Sequence, residues 1–179
     1  MQALLAFSRL IDRLNARFAI VANYCVLVAV LISAGNAVMR YVLSYSSNAF
    51  LEVQWYLFAA MVMLGTSYTL KNNGHVRVDL IYSSVGDRQR LYIDLLGLIF
   101  FLLPVTGYLI YLTVPFFLAS FRSGEMSMNA GGLILWPAKL MIPLGFILLA
   151  LQGISELIKR IGALTGQVEL DTHYEKPLQ

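Results

Sequence analysis

Four long apolar runs, separated by short polar segments, organise this sequence. They cover about residues 18–39, 48–70, 91–121 and 133–158. Each reaches the ~20 residues that a helix needs to cross a ~30 Å hydrocarbon layer. The pattern predicts an all-α integral membrane protein with four transmembrane helices, its transmembrane domain spanning residues 18–160. Ahead of the first run, Leu4, Phe7, Leu10 or Ile11, Leu14 and Phe18 recur at three- and four-residue steps. Arg9, Asp12, Arg13 and Arg17 take the other face. This predicts an amphipathic interfacial helix over residues 1–17, lying on the membrane surface. The alternative is a plain extension of the first span. A cleaved signal peptide is excluded by length, because the apolar run after Arg17 exceeds the ~7–15 residues of such a segment. The third run corresponds to ~45 Å of helix and contains Pro104, Gly107 and Pro115, so a strong tilt or a kink is expected. Asp87 is the expected N-cap of this helix. Residues 161–179 form a polar tail, expected to be flexible.

Composition agrees with a membrane setting. Charged residues make up 13% of the chain and hydrophobic ones 59%, against ~25% charged in ordinary globular chains. The basic residues then orient the helices. Of thirteen Lys and Arg, ten fall in the N-terminal arm, the second loop and the tail. Arg40 and Arg122 alone occupy the first and third loops, and Lys139 lies in the fourth run. Lys and Arg accumulate in cytoplasmic loops, so both termini and the second loop are expected to be cytoplasmic. This distribution accounts for the basic balance without a nucleic-acid partner, and membrane lipids are the expected surroundings.

Ionisable residues near the span ends need explaining, because a charge inside a membrane costs ~2.5–3.5 kcal/mol even on lenient scales. Glu52 opens the second span and Lys139 the fourth, at similar depth. They either pair, directly or through Gln54 or a partner chain, or reach the interface separately. Asp94 and Glu156 lie near the cytoplasmic ends of the third and fourth spans, within reach of Arg88, Arg90, Lys159, Arg160 and lipid headgroups. An interfacial ion network is the expected arrangement. Trp136-Pro137 marks the start of the fourth span, since Trp favours the interface and Pro suits a first helical turn.

Several chemistries lack their residues. The apolar runs contain no histidine for haem ligation, and the single Cys25 cannot form a redox pair. No phosphate-binding loop or zinc motif is present. No cofactor and no enzymatic activity are expected. The central stretches, such as residues 58–64 and 144–151, are nearly pure hydrocarbon. An ion-coupled carrier needs polar groups or broken helices at mid-membrane, so an accessory subunit is the better reading. The alternative is a self-sufficient homo-oligomeric exporter or channel built around Glu52.

The chain resembles the small (Q, DctQ-like) membrane subunit of tripartite ATP-independent periplasmic (TRAP) transporters. The similarity rests on Glu52, Gly65-Thr66-Ser67-Tyr68, His75-Val76-Arg77-Val78-Asp79 with Tyr82, and Asp94, Gly97 and Leu102-Leu103-Pro104. Trp136-Pro137-Ala138-Lys139, Ile142-Pro143-Leu144-Gly145-Phe146 and Leu151-Gln152-Gly153 complete it. The resemblance implies a scaffold subunit in the bacterial inner membrane. Its partners would be a large (M type) membrane subunit holding the substrate and sodium sites, and a periplasmic (P type) binding protein delivering organic acids. On that view no substrate site lies in this chain. Glu52, Gln54, Lys139 and Trp136 would act at the structural ion pair or subunit interface. His75, Arg77 and Asp79, with Asp94 and Glu156, would form a helix-end network on the cytoplasmic side. Arg40, Arg122 and Glu125 would be available to the binding protein on the outer face.

Overall fold

A computed structural model describes residues 1–75 and 84–168. The described chain forms four long helices: α1 (Gln2–Leu43), α2 (Asn48–Lys71), α3 (Asp87–Ser123) and α4 (Trp136–Leu164). All four are long and apolar enough to cross a membrane. α4 is the hub: it packs against α1, α2 and α3, while α1 also packs along α2. The only sheet-like feature among the described residues is an isolated antiparallel bridge, Met126 to Ile134, in the α3–α4 connection. We call the end of the bundle holding Met1 and Leu164 the terminal end, and the other the hairpin end.

The interior is small and unusually polar. Ala22, Ala60, Leu64 and Leu148 form its apolar centre, with Phe18, Cys25, Met141 and Leu144 packed around them. Ten polar or charged side chains are buried, against eight apolar ones. Tyr111, Phe101 and Leu31 are among many large hydrophobic residues left exposed. A water-soluble bundle reverses this distribution. In hydrocarbon there is no gain in hiding apolar groups, and polar groups must find partners inside. Close helix approach does the packing. A Cβ on Gly145 would stand 2.7 Å from Met63 Cβ and 2.8 Å from its carbonyl oxygen, so α4 meets α2 almost backbone to backbone there.

Two sequence expectations are corrected here. The arm and first span are not separate elements, since Gln2–Leu43 is one uninterrupted helix. The reason is local: residues 1–43 contain no proline, and Gly35 is the sole glycine. The face that packs, Ser8, Ile11, Asn15, Ala19 and Ala22, carries on through the supposed junction at one helical spacing. Leu4, Phe7, Leu10 and Leu14 stay exposed. Asp12 sits not among the arginines of an outer face but against α4. The second correction concerns α3. Its N-cap is Gly86, whose N–H donates to Gln89 Oε1 at 3.2 Å; Asp87 is the first helical residue and pairs with Arg90 at 2.9 Å.

The irregularity expected in α3 takes the form of a π-turn over Leu98–Leu102, directly before Pro104. Proline lacks an N–H and its ring crowds the carbonyl four residues back. One wider turn absorbs that misfit without breaking the helix. Two residues on, Thr106 Oγ1 donates to the Leu102 carbonyl at 2.7 Å.

Candidate functional site: two clasps at the bundle ends

Glu52 is 2% exposed, at the start of the second turn of α2, which begins after the Ser47 cap, whose Oγ accepts the Ala49 N–H. Its partners all come from the α3–α4 connection. Ser127 Oγ and Asn129 Nδ2 (2.8 Å) donate to Oε1, and the Leu133 N–H donates to Oε2 at 2.7 Å. A carboxylate is acceptor-only, so three converging donors are a complementary set. The connection is itself shaped for this. Ser127 N–H donates to Leu133 C=O and Leu135 N–H to Glu125 C=O, both at 2.9 Å, forming a short hairpin. Gly131 turns it at φ +70°, and Gly132 lies where a Cβ would strike Ser127 Cβ and its carbonyl at 2.7 Å. One turn further along α2, Tyr56 OH donates to Ile134 C=O at 3.0 Å.

Of the two arrangements open to Glu52 and Lys139, the direct pair is therefore not formed. Lys139 pairs with Glu125 at the root of the same hairpin, and its Nζ stands 4.4 Å over the Phe116 ring. Gln54 does not bridge them, because its amide donates to the Phe50 carbonyl of its own helix. Trp136 begins α4 and packs edge-on to Phe121, with ring centres 5.4 Å apart. Glu125 is thus occupied by Lys139 rather than free, whereas Arg40 and Arg122 are exposed. The Lys139 ammonium holds the Glu125 carboxyl below the ordinary carboxylate range.

At the terminal end a second cluster joins α1, α4 and α3. Asp12 Oδ1 accepts from Gln152 Nε2 and Ser155 Oγ, both at 2.9 Å, and Oδ2 lies 3.2 Å from Lys159 Nζ. Glu156 pairs with Lys159 and, at 2.6 Å, with Arg160 Nη1. Arg160 Nε reaches Asp94 Oδ2 on α3 at 2.9 Å. Asn15 Nδ2 donates to Gln152 Oε1 at 2.7 Å, and the Ser8 and Ser155 hydroxyls meet at 2.7 Å. Asp94 and Glu156 are thus brought together by one guanidinium. The sequence reading missed Asp12, Asn15 and Ser8 as members. Their signal was legible: Ser8, Asp12 and Asn15 share one stripe of α1, and Gln152, Ser155, Glu156 and Lys159 share one stripe of α4.

His75 stands apart from this cluster and is exposed. The end of α2 is closed by backbone instead: Asn73 at φ 52° and Gly74 donate to the Leu70 and Thr69 carbonyls, a Schellman arrangement. Arg77 and Asp79 lie outside the described residues.

Four helices long and apolar enough to cross a membrane, clasped at both ends, define the class as a multi-pass membrane protein. Residues 29–163, about three quarters of the chain, match the family of tripartite ATP-independent periplasmic transporters, DctQ component, and the chain belongs to that family. It is a family of transporter components, not of enzymes. Comparison with curated proteins and with solved structures gives no match.

Proposed function

We propose that this chain is the small scaffold subunit of its transporter, held in the bacterial inner membrane beside a large membrane subunit that carries the substrate and ion sites. Both termini face the cytoplasm, as the Lys and Arg distribution favours, so the Asp12–Arg160–Asp94 cluster lies inside and the Glu52 hairpin outside. A periplasmic binding protein delivers an organic acid, and an ion gradient, sodium in this reading, drives uptake.

The observation that carries this reading is the placement of charge. Asp12, Glu156, Lys159, Arg160 and Asp94 are committed to one another at one end, and Glu52 to the hairpin at the other. Between them lies the apolar centre around Leu148. Such a molecule is braced rather than poised to move. The rival reading, a pore built around Glu52, is disfavoured because that carboxylate is enclosed by its own hairpin and has no face left for an ion path.

Reconstitution tests the proposal. Vesicles holding the large subunit with the binding protein should take up substrate only when this chain is present, and this chain alone should transport nothing. Uptake by this chain alone would support the rival, and full uptake without it would remove the scaffold role.

A further inference from the structure

The second half of α1 is only lightly packed, with Cys25 against the apolar centre as its deepest contact. The buried residues of α1, Ser8, Ile11, Asn15, Ala19 and Ala22, all precede residue 23. From there to Leu43 no residue is buried within the chain. That exposed half begins with a polar residue, Asn23, followed by Tyr24 at 63% exposure.

The depth of Asn23 can be read from its neighbours. Ala22 packs on Leu148 in the apolar centre. Leu148 lies midway along α4 between Trp136 and Arg160, ~18 Å of helix from each. Asn23 is therefore near the middle of a ~30 Å hydrocarbon layer, too deep for a short amide to reach either headgroup region. Its side chain has no hydrogen-bond partner among the described residues. Lipid tails offer neither donor nor acceptor, and an amide left unpaired in hydrocarbon costs several kcal/mol. The four buried polar residues of the terminal cluster on α1 and α4 show how this chain otherwise treats such groups: Asn15, two turns earlier on the same helix, is fully enclosed and bonded to Gln152.

We propose that the α1 face around Asn23, flanked by Ile20, Tyr24 and Leu27, is the docking surface for a transmembrane helix of the larger membrane subunit. The inference rests on the reading that such a subunit stands beside this chain, and it specifies where. Membership of a multi-component transporter family supplies a second chain, and the Asn23 amide specifies its chemistry. The docking helix carries a hydroxyl, an amide or a carbonyl bared by a small residue at mid-depth. The apolar side chains of Ile20 and Leu27, both more than half exposed, pack around that bond. Interhelical hydrogen bonds of this kind typically change association by ~3- to 30-fold.

The test co-expresses this chain with its tagged large subunit and measures capture in mild detergent. Asn23→Leu should lower capture by about tenfold while the free chain keeps its helical content. Asn23 is exposed and makes no hydrogen bond through its side chain among the described residues. A photo-crosslinking residue placed at Tyr24 should join this chain to the large subunit. Equal capture of wild type and Asn23→Leu, with no crosslink at position 24, would overturn the docking face while leaving the scaffold reading intact. A crosslink to a second copy of this chain would overturn it in favour of self-association. Failure of the wild-type chain to be captured at all would remove the scaffold reading itself. If Asn23→Leu does not accumulate, the position 24 crosslink in the otherwise native chain decides alone.

Discussion

The carboxylate of Glu52 accepts the backbone N–H of Leu133 at 2.7 Å, across 81 residues of sequence. One side chain on α2 thereby sets the path of the connection between α3 and α4. Replacing Glu52 with Gln leaves one acceptor oxygen where two served: an amide NH2 facing the Leu133 N–H loses that bond, and keeping it requires Ser127 and Asn129 to turn from donors into acceptors. Glu52→Gln should leave the four helices intact but loosen the hairpin. Amide exchange at Leu133 should accelerate by about tenfold or more. Unchanged exchange there would show that the hairpin holds without the clasp.

Arg160 bridges Glu156 and Asp94 with both acids and itself largely buried. Removing one member of such a group leaves an uncompensated charge, at a cost of ~3–5 kcal/mol. Arg160→Leu should destabilise the protein by about that amount in reversible detergent unfolding. The triple change Arg160→Leu, Glu156→Leu, Asp94→Leu should recover part of the loss, because no stranded charge remains. A triple variant as unstable as the single one would contradict this account.

Gly145 and Gly153 both sit at close helix contacts, but their obstacles differ. At Gly145 an added Cβ meets the Cβ and carbonyl oxygen of Met63; at Gly153 it meets Leu102 Cδ2 at 2.6 Å, the end of a flexible side chain. Backbone cannot swing aside as a rotamer can. Gly145→Ala should cost ~1–3 kcal/mol by overpacking, and Gly153→Ala less. Thermal unfolding of the two variants side by side checks the order.

The Glu125 carboxyl is held below the ordinary carboxylate range, chiefly by the hydrogen bond from Lys139. A depressed pKa means that the native state holds its proton less tightly than the unfolded chain. The contribution is fully present above the unfolded value and disappears as pH falls through the native one. Acidification into that window should therefore weaken the hairpin root in the native protein. Glu125→Gln should flatten that part of the pH profile, and exchange of Leu135 NH, bonded to the Glu125 carbonyl, reports it.

The four long helices were legible because each contains a long apolar run. The first was divided wrongly: composition changes at Arg17, whereas helical geometry does not. Glu52 and Lys139 each took a partner from the loop between α3 and α4. A linear pattern registers the polarity of Ser127 and Asn129 but not the hairpin that aims them. The terminal cluster was half visible through Asp94 and Glu156. Asp12 escaped because its neighbours in sequence are arginines, while its neighbour in space is α4.

By itself, the sequence determined four segments long and apolar enough to cross a membrane, and its ordered motifs marked the family. Those properties follow from hydrophobic length and local spacing, which each segment carries alone. Tertiary structure decided which charges meet. Pairing depends on the rotation of each helix and on the return path of a loop, and both are set by contacts far apart in sequence, such as Asn15 with Gln152 and Glu52 with Leu133. The same contacts left Asn23 exposed.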